Sequence, residues 1–226
     1  MSIALPSKVE EENFAPTSVT LTTTGEAREG ESGWGVVGSL SATDPNESNT
    51  HTFTLEDDAS GLFRITGTSL EYDGARDFES IFGGSSAVSG TVSVTVRADD
   101  GMDNDCCRNQ AFSIPFYNDN EAPSAIGPAS TFTVSETKST SSAGNANLIT
   151  TFSVSDPDNG QSHTCSGIGL GTTFQVEFST CRLRLLQPLD FETTPEYSFI
   201  LVVSDNGWGR TGSQSTTFPI TINVGA

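Results

Sequence analysis

Along this chain apolar and polar residues alternate with a period of two. Val92, Val94, Val96 and Ala98 alternate with Ser, Thr and Arg, and the stretches His51–Leu55 and Phe132–Val134 behave likewise. Phe199, Leu201 and Val203, then Phe218, Ile220, Ile222 and Val224, repeat the pattern near the end. Successive side chains of an extended chain point to opposite faces, so this alternation predicts half-buried strands of antiparallel sheets. No window sustains a 3.6-residue period over three turns, which argues against a long helix. Turn chemistry in D-P-N, D-P-D-N-G, S-D-N-G and G-G-S-S punctuates the strands, and the expected class is all-β.

A set of acidic signatures occurs twice in the same order. The first copy reads S-A-T-D-P-N-E at 41–47, A-R-D-F-E at 75–79 and V-R-A-D-D-G at 96–101. The second reads S-V-S-D-P-D-N at 153–159, P-L-D-F-E at 188–192 and V-V-S-D-N-G at 202–207. Asp44 and Asp156 are 112 residues apart, Asp77 and Asp190 are 113, and Asp100 and Asp205 are 105. A repeat of that period means two copies of one domain, and with the strand pattern it predicts two tandem Greek-key β-sandwiches of immunoglobulin-like topology. The boundary falls at N-D-N-E-A-P, 118–123, with an echo in E-N-F-A-P-T at 12–17. The expected organisation is an N-terminal tail or preceding linker at 1–16, a first repeat at 17–120 and a second at 121–226. The gap from Glu136 to Asp156 exceeds that from Glu29 to Asp44 by five residues, which places an insertion around S-T-S-S-A-G-N-A-N.

Composition sharpens this picture. The 226 residues carry 29 acids against 10 bases, a formal charge of −19. That balance argues against nucleic acid, whose phosphates need Lys and Arg, and against anionic membrane surfaces. So dense a negative charge repels itself, and divalent cations would relieve it. No run approaches the 18 apolar residues of a membrane span, and the first residues lack the apolar core of a signal peptide. Four cysteines, 106, 107, 165 and 181, allow three pairings. Cys165 and Cys181, around a hairpin-like stretch of the second repeat, are the preferred disulfide. Adjacent Cys106 and Cys107 are left open between a vicinal bridge, a partner elsewhere and free thiols. Disulfides point to an oxidising, extracellular setting.

The order of signals resembles the cadherin repeat: a Glu near the first strand, D-x-D after the second, D-x-E mid-domain, A-x-D-x-G late and D-x-N-D-N-x-P at the exit. The wording A-T-D-P-N, L-D-F-E and N-E-A-P-T is most similar to cadherin-like repeats of bacterial and protist surface proteins. The resemblance spans residues of roughly 12–226. It implies a calcium cluster at the junction, with Glu29, Asp77 and Glu79 from the first repeat and Asn118, Asn120 and Glu121 from the linker. Asp156, Asp158 and Asp205 come from the second repeat. It also implies two weaker half-sites, Asp44, Asn46 and Asp100 with Glu11 and Asn13, and Glu136, Asp190 and Glu192. Calcium takes about 6–8 oxygen ligands from carboxylates, amides and carbonyls, which three converging segments would supply. Asn118 stands where the family usually has Asp, the first repeat reads D-P-N rather than D-P-D, and Glu29 has rivals in Glu26 and Glu31.

Each residue also has a plainer reading. An isolated Asp in these turns serves as an Asx-turn residue. His51 and His163 fall at matching positions and are read as structural rather than ligating. A zinc site from His163, Cys165 and Cys181 lacks a fourth ligand. Asn46-Glu47-Ser48 is a glycosylation acceptor that coincides with a metal-ligand position. Trp34 and Trp208 are read as packing residues, or alternatively as a sugar-stacking surface. No G-x-S-x-G, G-x-x-x-x-G-K or H-E-x-x-H occurs, and an enzyme is not expected. The expected function is that of a calcium-binding extracellular module of a larger cell-surface adhesion or filament protein. Its partners would be neighbouring repeats and homophilic or heterophilic surface proteins. The alternative is a calcium-dependent polysaccharide-binding module.

Overall fold

The computed structural model describes residues 12–83, 87–102, 106–207 and 211–226. The chain divides into two compact units, one comprising residues up to Phe78 with Ser89–Asn118, the other Glu79–Val88 with Asp119–Ala226.

The first unit contains β1 (Ser18–Thr23), β2 (Ala27–Arg28), β3 (Trp34–Thr43), β4 (Thr52–Asp57), β5 (Phe63–Thr66) and β6 (Ser69–Asp73). After α1 (Phe78–Phe82), of which only Phe78 belongs to this unit, come β7 (Ser89–Asp99) and β8 (Cys107–Tyr117). One sheet has the order β1-β3-β6-β5 and the other β2-β8-β7-β4. The first extended segment therefore serves both sheets, pairing antiparallel with β3 through β1 and parallel with β8 through β2. Gly25 sits at the crossing, where an added β-carbon would lie 2.2 Å from the carbonyl oxygen of Val36, so only glycine fits. The predicted inward face of β7 holds for Val94, Val96 and Ala98, each fully buried, while Val92 is half-buried. Leu40, Leu70, Tyr72, Phe78 and Phe116 are buried in the same unit. Burying each large side chain contributes about 1.5–3 kcal/mol. Phe78 stacks on Phe116, and Tyr72 meets the same ring edge-on.

The second unit repeats the plan with β9 (Ala125–Gly127), β10 (Thr131–Ser135), β11 (Leu148–Thr151), β12 (Ser153–Ser155) and β13 (His163–Ile168). It continues through β14 (Phe174–Val176), β15 (Arg182–Leu185), β16 (Glu196–Asp205) and β17 (Ser215–Gly225). One sheet is β10-β17-β16-β13; the facing strands pair as β11-β15-β14 and β12-β9. Again the first segment splits, β9 pairing antiparallel with β12 and β10 parallel with β17. Pro128, which has no backbone N–H, stands between them. The alternation places Phe199, Leu201, Val203, Ile220, Ile222 and Val224 in the core, with Phe218 packed partly buried against it.

Two details differ from the alternation alone. Strand β4 starts at Thr52, leaving His51 just outside it, and α1 is a five-residue helix too short to show periodicity. The insertion after Glu136 forms a loop with a single 3-10 turn at Ala143–Asn145.

Candidate functional site

Loops at one end of each unit hold the D-x-D and late Asp signatures, and they are built alike. In the second unit the Asp158 N–H donates to Asp156 Oδ1 at 3.0 Å, forming an Asx turn. The Glu121 N–H donates to Asp158 Oδ2 at 2.8 Å, tying the linker to that turn. Asn120 Nδ2 donates to Asp205 Oδ2 at 3.2 Å, and the Gly207 and Gln214 N–H groups donate to Asp205 Oδ1. Gln161 Nε2 in turn donates to Asn120 Oδ1.

Most of these bonds recur in the first unit. The Asn46 N–H donates to Asp44 Oδ1 at 2.7 Å, and the Phe14 N–H donates to Asn46 Oδ1 at 2.8 Å. Asn13 Nδ2 donates to Asp100 Oδ2 at 3.0 Å, the Met102 N–H donates to Asp100 Oδ1, and Asn49 Nδ2 donates to Asn13 Oδ1. The structure thus brings Asp44, Asn46, Asp100 and Asn13 together. Glu11 lies outside the described residues.

The opposite ends also match. The Phe78 N–H donates to Glu29 Oε2 at 2.5 Å, and the Phe191 N–H donates to Glu136 Oε2 at 3.2 Å. Each Glu is thereby drawn to the middle of a D-F-E sequence. Carboxylate oxygens of Glu29 and Asp77 lie within 4.8 Å of one another, as do those of Glu79 and Glu121. Glu29 is buried, whereas Glu26 is exposed. Glu31 is engaged elsewhere, accepting from Arg28 Nη2 at 2.6 Å and from the Tyr72 hydroxyl at 2.9 Å. The Arg28 hydrogen bond, and then that of Tyr72, hold the Glu31 carboxyl below its ordinary range. Asp190 is exposed and accepts from the Thr193 hydroxyl and N–H, which lower its pKa in that order; Glu192 is exposed beside it.

The donor set suits a hard divalent cation. Asp100 and Asp205 are 4% exposed, and among the described residues neither has a Lys, Arg or His partner. Buried carboxylates are ordinarily paired with a cation or coordinate a metal. Gln161 Oε1 is buried without a hydrogen-bond partner at the same end. Asn118 and Asn120 are buried as well, so the oxygens offered are carboxylate and amide, the ligands calcium takes.

Residues 130–225 match the family model of the cadherin domain. The second unit is a cadherin domain. Solved cadherin structures cover nearly the whole chain. Mouse Cadherin-23 EC22-24 matches with a TM-score of 0.61 at 16% identity, over 95% of this chain and 64% of that one. Protocadherin gamma B2 extracellular cadherin domains 1-5 match at 0.64 and 17% identity, over 96% and 41%. Human mucin-like protocadherin EC1-2 matches at 0.52 and 20% identity, over 92% and 98%. The chain spans less than two thirds of the length of the first two. These likenesses extend the cadherin fold to the first unit. No curated protein matches the chain.

The structure pairs the cysteines: Cys165 and Cys181 form a disulfide, and Cys106 and Cys107 a vicinal one in the first unit. The zinc arrangement is thereby overturned, since both sulfurs are bonded to each other and His163 Nε2 instead lies 2.8 Å from Asp156 Oδ2. Trp34 is 39% exposed with the Arg64 guanidinium 4.3 Å above its ring, so it is not a core residue. Trp208 lies outside the described residues. Asn49 and Gln161, which hold the linker amides of Asn13 and Asn120, are further site residues; their matching spacing of 112 was the only signal for them.

Proposed function

We propose that the two units are calcium-binding extracellular repeats of a larger cell-surface adhesion or filament protein. In this reading Glu29, Asp77, Glu79, Asn118, Asn120, Glu121, Asp156, Asp158 and Asp205 hold calcium, which stiffens the connection between repeats. The observation that carries it is the duplicated end network, in which buried Asp100 and Asp205 are hydrogen-bonded by amides and backbone N–H groups and, among the described residues, are not neutralised by a basic side chain. Without metal, acids gathered in one place repel, and a joint between two such ends stays flexible. Glu136, Asp190 and Glu192 would serve a following repeat, and Asn13, Asp44, Asn46 and Asp100 a preceding one. Two disulfides support an oxidising, extracellular setting. No helix of the described residues is long and apolar enough to cross a membrane. The module binds and spaces rather than catalyses. A polysaccharide-binding reading centred on Trp34 has less behind it, because Arg64 covers one face of the ring.

The test is a calcium titration of chelated protein followed by melting temperature and small-angle scattering. Extracellular calcium modules bind at roughly 10⁻⁴–10⁻³ M, so the melting temperature should rise and the particle lengthen in that range. Identical profiles with calcium and with chelator would overturn the reading.

A further inference from the structure

Two histidines, 112 residues apart in sequence, make the same contact in separate units. His51 Nε2 lies 3.1 Å from Asp44 Oδ2, and His163 Nε2 lies 2.8 Å from Asp156 Oδ2. Both carboxylates are buried, with side-chain exposures of 3% and 4%. An ionised carboxylate only accepts hydrogen bonds, so the ring nitrogen donates. The other oxygen is held as well: Asp44 Oδ1 accepts from the Asn46 N–H and Asp156 Oδ1 from the Asp158 N–H. Each carboxylate is therefore gripped at both oxygens and cannot swing about its last torsion, while each oxygen keeps a lone pair to offer.

The strand register adds a second link. His163 opens β13 and pairs directly with Asp205, the last residue of β16. In the first unit His51 stands one residue before Thr52, which pairs with Asp99, next to Asp100. One residue thus reaches the D-x-D aspartate through its side chain and stands beside the late aspartate through its backbone.

We propose that His163, and His51 in the same way, is a positioning residue for calcium: its Nε2–H orients the Asp156 carboxylate toward the metal without ligating it. The inference rests on the calcium reading above. Partners that orient a metal's ligands typically contribute about 10–100-fold in metal affinity, and pre-orientation lowers the cost of ordering a ligand on binding.

The test uses the whole 226-residue chain, calcium alone as the ligand, calorimetric titration for affinity and melting in chelator for the fold. His163→Leu should weaken calcium binding about tenfold or more, with the chelated melting temperature little changed. His163→Gln, whose amide can donate from a similar place, should recover most of the affinity. If His163→Leu also melts early, the Gln variant decides: recovered affinity supports positioning, and affinity as poor as that of the Leu variant overturns it. Wild-type affinity in His163→Leu overturns the positioning role and leaves the calcium reading standing. No calcium uptake by the wild type overturns both.

Discussion

Asn120 Nδ2 donates to Asp205 Oδ2 at 3.2 Å, the same bond that Asn13 makes with Asp100 in the other unit at 3.0 Å. Asp205 also accepts from the Gly207 and Gln214 N–H groups, and it is buried. Removing its carboxylate leaves several donors without their acceptor, at a cost of about 1–3 kcal/mol. Asp205→Ala should therefore lower the melting temperature of the second unit even in chelator, and in calcium it should lose most of the calcium-dependent gain. Paired melts of wild type and variant, with and without chelator, check both parts.

The duplication of these bonds explains what could be read from residues alone. Constant spacing between Asp44 and Asp156, and between Asp77 and Asp190, exposes two copies of one sandwich because strands of matching length must return each loop to the same end. Period-two alternation identifies Val94, Val96, Leu201 and Ile222 as inward-facing, since pleating leaves no other option. The choice among Glu26, Glu29 and Glu31 was not legible, because it depends on Tyr72 and Arg28 claiming Glu31 from positions 41 residues downstream and three upstream. Asn49 and Gln161 were missed because a polar residue in a turn has no signature of its own; only the tertiary bond to Asn13 or Asn120 gives it a task. The bonding of Cys106 to Cys107 was likewise open, since adjacency in sequence does not decide between bonded and free sulfurs.

Tyr72 and Glu31 set a pH dependence at both ends of the scale. Burial, followed by the hydrogen bond to Glu31, pushes the Tyr72 phenol from its ordinary 10.0 up to about 12. A folded-state pKa above the unfolded one gives stability that is complete below pH 10 and lost as pH rises through about 12. Glu31 runs the other way: its lowered pKa gives stability that is present above the ordinary value of 4.5 and lost as pH falls through the folded value. Tyrosinate absorbance should show a late-titrating phenol that is lost in Tyr72→Phe. The same variant should flatten the alkaline loss of stability and weaken, without abolishing, the acid one, because Arg28 still bonds Glu31. Equal alkaline melting curves for wild type and variant would count against this.

The two disulfides should differ sharply in what they contribute. Cys165 and Cys181 are both buried and close a loop with a sequence separation of 16. Restricting such a loop in the unfolded chain stabilises by about 2–4 kcal/mol. The vicinal pair, at a separation of one, closes almost no loop and is only half-buried. Replacing Cys165 and Cys181 together by Ala should cost the second unit about 2–4 kcal/mol in denaturant unfolding. Replacing Cys106 and Cys107 together by Ser should stay within about 0.5 kcal/mol, as surface changes usually do. Similar losses from the two double variants would contradict the loop argument.

Asn147 decides whether the extra residues of the second unit are tolerated. It closes the inserted segment with its N–H to the Ser141 carbonyl, and its own carbonyl accepts from the Leu185 N–H. Its side chain is buried, donating from Nδ2 to the Leu185 carbonyl at 3.2 Å and accepting from Arg184 Nη1 at 2.9 Å. The buried contacts that pin the loop to β15 thus come from Asn147, while Thr140 to Ala146 are at most half-buried and reach β15 through the exposed bond from Arg184 Nη2 to Asn145 Oδ1 at 3.1 Å. Asn147→Ala keeps the backbone bonds but strips the amide from a buried acceptor and a guanidinium, so it should cost about 1–3 kcal/mol. Ser142→Ala, an exposed change a few residues earlier, should stay within about 0.5 kcal/mol. Denaturant unfolding of the two variants side by side measures the difference. An Asn147→Ala as stable as Ser142→Ala would mean that β15 holds without the pin and that the insertion is merely an exposed loop.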